Sequence, residues 1–128
     1  MFDLRIRIDT HDTLGRLDAV LRNMEDATTV IETTADEMVE YMVSLAIGDC
    51  PVRTGQLRDS IRVEGSFPSY MIIADAVDKY GVEYGQFVEF GTSMQQAQPF
   101  MWPAIDRGVA QYASVFKEVY MAALRGGT

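Results

Sequence analysis

Hydrophobic positions in the first eight residues fall on every second residue. Phe2, Leu4, Ile6 and Ile8 alternate with Asp3, Arg5 and Arg7, the pattern of a half-buried strand with one wet face. Asp9 and Thr10 follow, each with an oxygen able to cap a helix. From Leu14 the spacing changes to steps of three and four. Leu14, Leu17, Leu21, Met24, Thr28, Ile31, Ala35, Met38, Met42 and Leu45 draw one seam along a helical surface. The seam weakens between Asn23 and Thr34, where threonines replace large side chains and β-branching lowers helix propensity. Two arrangements satisfy it: a short helix, a break near residues 23–26 and a longer helix to about Gly48, or one continuous helix. Gly48 is a natural stop, and Pro51 pushes Cys50 away from helical geometry.

The stretch from Val52 to Lys79 predicts strands. SIRVEG and YMIIADAV are rich in β-branched and aromatic residues, and SFPS between them predicts a hairpin connection. EYGQFVEFGT can be strand or helix, and the helical reading is the better one. It puts Tyr84, Phe87 and Val88 on a shared face and Glu89 pointing away, with Gly91 closing the end at positive φ. From Pro103 a last helix carries Ile105, Val109, Tyr112, Phe116, Val119 and Ala123 as its apolar stripe, and Gly126-Gly127 ends it. The elements predict an α+β fold in a single domain, residues 1–128. It consists of an N-terminal strand, a long helix (broken or continuous), a small antiparallel sheet, a short helix, and a C-terminal helix packed on the sheet.

Composition narrows the function more than the fold. With 48% hydrophobic residues in 128, a core is available. A net charge of -8 argues against unaided nucleic-acid binding, which needs a basic footprint. Lys79 and Lys117 are the only lysines among 11 basic residues. That bias fits a high-salt cytoplasm, where surplus acid keeps a protein soluble, and GC-rich codon usage favours arginine equally. No run approaches the length of a membrane span, and the N-terminus lacks the apolar stretch of a signal peptide. The expected compartment is a cytoplasm.

Candidates for catalysis are few. His11 beside Asp12 sits where a helix begins, and neighbours on a helix point in different directions, so an exposed first-turn histidine is the plain reading. Cys50 has nothing basic nearby in sequence and reads as a buried, inert thiol. Glu37 and Glu40 are three apart on one helix, but without a histidine partner they read as a wet face rather than metal ligands. The glycines at 81, 85 and 91 do not follow a phosphate-binding spacing. No cofactor, metal or catalytic residue is expected. The methionines on the seam read as core filler, whereas Met94, in a polar loop, suits an adaptable contact surface as well.

Three blocks in order carry a resemblance. The first is PVRTGQLRDSI, with Pro51, Val52, Thr54, Gly55, Leu57, Arg58, Ser60 and Ile61. The second has Tyr84, Val88, Glu89, Phe90, Gly91 and Thr92. The third has Ala97, Gln98, Pro99, Phe100, Pro103 and Ala104. Together they resemble the head–tail joining, or tail-completion, family of tailed viruses of bacteria and archaea. The chain departs from the family pattern at Gly85-Gln86-Phe87 and in its acidic balance.

The resemblance implies a structural virion protein at the neck, assembled in the host cytoplasm. It implies a ring, of six copies to match the tail tube, which completes the tail and joins it to the capsid connector. The implied partners are further copies of the chain, a head connector, adaptor or stopper protein, and a tail terminator or tail tube protein. The resemblance further implies that DNA passes through the lumen without specific binding and that no membrane is involved. A tail-tube terminator or another neck ring is a near alternative. A cytosolic protein-binding module and a small hydrolase are the rivals from other classes.

Residue chemistry adds four expectations. Thr54-Gly55 forms a tight turn. Arg58 and Glu89 either pair as a charge-assisted clasp, within or between subunits, or are solvated separately. The prolines at 99 and 103 stiffen an arm that places Phe100 in the core and Trp102 partly at an interface. The acid either faces a DNA-conducting lumen or adapts the whole surface to salt.

Overall fold

The computed structural model describes residues 4–9, 25–52 and 55–126. Its elements run β1 (Arg5–Asp9), α1 (Glu25–Asp49), α2 (Gln56–Ser60), β2 (Arg62–Ser66), β3 (Ser69–Ile73), α3 (Gly85–Phe90) and α4 (Met101–Gly126). Phe2, the Thr10 cap, His11, the seam from Leu14 to Met24 and Thr54 lie outside the described residues, as does the start of the break expected near residues 23–26. From Glu25 onward α1 is continuous.

The three strands form an antiparallel sheet in the order β1-β3-β2. β3 is central, with Ile72 opposite Ile6 on one side and Val63 on the other. Side chains alternate across a strand, so Ile6, Tyr70, Ile72 and Val63 share the face that joins the core, as the period-two pattern predicts. The β2–β3 hairpin turns at Phe67-Pro68, joined by a cis peptide bond. α2 is an element the strand-rich reading did not anticipate. Gly55 opens it at φ 81, and the Ser60 hydroxyl closes it by donating to the Leu57 carbonyl at 2.7 Å. β2 accordingly begins at Arg62 rather than Ser60.

The seam of α1 is buried as its spacing predicts: Ile31, Ala35, Met38 and Met42 all lie in the interior, with Val39 and Ala46 beside them. Thr34 is buried too, its hydroxyl donating to the Val30 carbonyl at 2.7 Å. Met38 and Met42 are therefore filler. Tyr70 on β3 donates its hydroxyl to Asp36 on α1, which ties the sheet to this helix. Burial, then that carboxylate, raises the phenol well above its usual range.

The C-terminal helix joins the core shared with the sheet and makes its closest contact with α1. The two helices run antiparallel. Arg107 lies 3.4 Å from Asp49, and Tyr112 stacks obliquely on Tyr41 with centroids 5.9 Å apart. The reason is local. Gly108 is buried against Met42, and its missing side chain lets the backbones approach there. α1 offers an apolar strip on this side as well as towards the sheet, so it contacts both.

On the outer face of the sheet, Arg5, Ile73 and Arg62 form one cross-strand row. Arg62 grips Asp75 with two bonds of 2.8 and 2.9 Å, and Arg5 reaches Glu83 at 3.3 Å and Asp75 at 3.9 Å. The Arg62 bonds hold Asp75 below the usual carboxylate range. Ile73 is wholly buried within this row, so the outer face is roofed by the loop that follows β3.

Replacing Gly108 by Ala forces a Cβ into the Met42 side chain. Overpacking costs about 1–3 kcal/mol, against a helix-propensity gain of about 1 kcal/mol. The net loss is up to about 2 kcal/mol, so a fall in Tm of up to roughly 8 °C is expected for Gly108→Ala by thermal denaturation, and a raised Tm contradicts the close crossing.

Candidate functional site

The second and third motif blocks form a single structural unit. α3 buries Gly85 and Glu89, which are four apart and share a face. Glu89 thus does not point away, as the helical reading had it. It is 2% exposed, while Phe87 and Phe90 occupy the solvent side. The face chosen is set by what Glu89 meets.

Its Oε1 accepts the backbone N–H groups of Phe100 and Met101, both at 2.8 Å, and its Oε2 accepts that of Trp102 at 3.0 Å. These are first-turn donors of α4, groups that have no partner inside their own helix. The next residue is Pro103, which has no N–H to satisfy. One carboxylate and one proline together account for the exposed donors of the helix end. The charge also sits where the positive end of a 26-residue helix favours an anion.

The chain between α3 and α4 is shaped to bring this about. Gly91 adopts φ 77 and ψ 176, a region open essentially to glycine alone. A Cβ there would lie 2.8 Å from the Ala97 nitrogen and 2.9 Å from the Gln95 carbonyl oxygen. Thr92 and Gln95 bond to each other's backbone, and the Thr92 hydroxyl accepts the Met94 N–H at 3.1 Å. The Gln98 N–H then donates to the Val88 carbonyl at 2.8 Å. Exposed Pro99 follows, and Phe100 and Met101 enter the core wholly buried. Trp102 remains 45% exposed and Met94 94% exposed.

The first block lies at the foot of the same unit. Pro51 is half-buried and Val52 exposed, while Leu57 and Ile61 are core residues. Gly55 takes a positive φ. Arg58 and Glu89 do not pair within the chain. Arg58 lies 3.7 Å from Asp59, and the oxygens of Glu89 are taken by amides.

Cys50 is buried and donates weakly to the Pro51 carbonyl. Burial pushes its thiol up to about 11, Glu89 adding to the rise while Arg58 works against it. Glu37 and Glu40 lie on the exposed face of α1. Among the described residues no group of His, Cys, Asp and Glu could hold a metal ion, and no helix is long and apolar enough to cross a membrane.

The role of Glu89 escaped the sequence reading, although a signal for it existed. The residue before α4 is Phe100, which has no side-chain acceptor, so the helix end needed one from elsewhere.

Two outcomes check this arrangement. Glu89→Gln places an amide donor against a backbone donor and removes the charge, so a loss of about 2–4 kcal/mol is expected by urea denaturation. Arg58→Gln, at an exposed pair, changes stability by less than about 0.5 kcal/mol. For Cys50, the raised thiol leaves about a hundredfold less thiolate than an ordinary cysteine at pH 8. Alkylation of the native protein by iodoacetamide should be slower by at least that factor, and normal after unfolding.

Similarity to known proteins bears on the same motifs. No curated protein and no solved structure matches the chain. A family model does match, over residues 12–91, that of the bacteriophage HK97 gp10-like family, whose members are provisionally described as tail components. The match takes in the first motif block and all of the second but Thr92, ending at Gly91, the turn that leads back to the Glu89 cradle. It covers well over half of the sequence, and the chain therefore belongs to this family of phage tail components.

Proposed function

We propose that the chain is a structural subunit of the upper tail, forming a ring of about six copies that joins tail to capsid and leaves a channel for DNA. The observation that carries this reading is where the acid sits. α1 holds seven carboxylates and no lysine or arginine, in a chain whose net charge is -8. Glu32, Glu37 and Glu40 are on its exposed face, and the outer face of the sheet instead carries the paired arginines Arg5 and Arg62.

Adaptation to salt would spread acid over the whole surface. Concentration on one helix face suits a conduit, where carboxylates lining the lumen repel phosphates and let the duplex slide without being gripped. The partners in this reading are further copies, a connector, adaptor or stopper protein on the head side, and a terminator or tube protein on the tail side. The task requires no catalysis and no cofactor. It requires a rigid body with separate faces for neighbours, head and tail, and the Glu89 cradle supplies that rigidity where three segments meet.

Quantitative mass spectrometry of purified tailed particles from the genome that encodes the chain tests the proposal. About six copies per particle is the expected result. About twelve copies moves the ring toward the portal. Absence from particles, with abundant protein in the lysate, refutes a virion role.

A further inference from the structure

Two surfaces carry exposed apolar side chains outside the core. The first is the loop between β3 and α3. Asp78 builds its tip: its carboxylate accepts the N–H groups of Tyr80 and Val82 at 2.8 and 3.0 Å. Its carbonyl accepts that of Gly81 at 3.0 Å, and its own N–H donates to Val82 at 2.9 Å. A bridge between Val77 and Glu83 closes the base. On this ordered turn Tyr80 stands 78% exposed between the exposed valines Val77 and Val82, with the Lys79 ammonium 5.1 Å from its ring. An aromatic anchor held out on fixed backbone docks with little loss of entropy.

The second surface is a flank of α4. Trp102, Asp106 and Val109 follow one another at steps of four and three, so they lie in one row. All three are exposed, which leaves a large aromatic and a valine beside a carboxylate. Neither Lys79 nor Asp106 makes an ion pair among the described residues. The two surfaces also lie on opposite sides of the sheet. The loop is anchored on the outer face through Asp75 and Glu83, whereas α4 packs on the helical side.

The two surfaces are complementary in charge, a cation on one and an anion on the other, each beside exposed apolar and aromatic side chains. Two different complementary patches on one chain are what a head-to-tail contact needs in order to close by rotation. We infer that the Tyr80 loop of one copy docks on the Trp102–Val109 flank of the next, with Lys79 facing Asp106. This rests on the ring reading above and names the contact that builds the ring.

Cross-linking within assembled particles tests it. Particles made with the chain carrying both Lys79→Cys and Asp106→Cys are treated with a short bismaleimide and run on a denaturing gel. A ladder rising in steps of one chain is expected, and neither single substitution should give one. A cross-linked dimer from a single substitution means a two-fold contact and overturns the inference. So does absence of the ladder when the chain is present in particles, a result that leaves the tail role standing. Absence of even the unsubstituted chain from particles removes both.

Charge reversal gives a second measurement that does not depend on cross-linking. Lys79→Glu and Asp106→Lys should each lower the yield of joined particles by about tenfold, since a weak pair is repeated at every joint. Together they should restore it to within about twofold. Failure of the double variant to recover overturns the docking even if both single variants are impaired.

Discussion

Three backbone amides at the start of α4 need an acceptor, and the carboxylate of Glu89 is the group that meets them. A helix end buried without such a partner is costly, because each unsatisfied donor carries its desolvation penalty into the interior. The carboxylate has the same problem in reverse, being a charge almost removed from water. Each solves the other. The loop must fold back at Gly91 for the two to meet, and Phe100 and Met101 are carried into the core as it does. α4 then starts at a fixed point, and its crossing of α1 at Gly108 is placed along with it. The prolines at 99 and 103 act at the same junction, one stiffening the approach and the other removing the donor that Glu89 could not serve.

Charge is divided between the two sides of the molecule in a way that composition conceals. The acid is concentrated on α1, while arginines on the outer face of the sheet are drawn into pairs with Asp75, Glu83 and Glu64. Such pairs, partly exposed, contribute little to stability individually. Their effect is to neutralise that face and to hold the following loop over Ile73. A chain that is acidic overall thus presents one acidic helix face and one balanced sheet face, a division suited to a subunit with different neighbours on different sides.

Periodicity made most of the fold legible in the sequence. The alternation around Leu4, Ile6 and Ile8 and the seam through Ile31, Ala35, Met38 and Met42 reported which faces are buried, because burial itself imposes those periods. α2 was missed since five residues are too few to show a helical period, and its sequence lies among strand formers. The packing of α4 on α1 was missed for a different reason. An apolar stripe says that a helix is covered, and not by what. The site was legible as a set of motif residues, yet Glu89 was assigned to solvent because a carboxylate on an otherwise apolar helix is ordinarily the wet position. Its burial depends on amides eleven to thirteen residues later, a pairing no local pattern encodes.

The loop of residues 92–97 is clamped at both ends, by Gly91 on one side and by Gln98 bonding to Val88 on the other. Between these clamps Ser93, Met94 and Gln96 are exposed. Side chains there can be exchanged without disturbing the cradle beneath them. The segment is an exchangeable surface on a frame that backbone bonds hold closed. Its exposed residues can change without loosening the fold, because Gly91, Glu89 and Pro103 keep the frame closed beneath them.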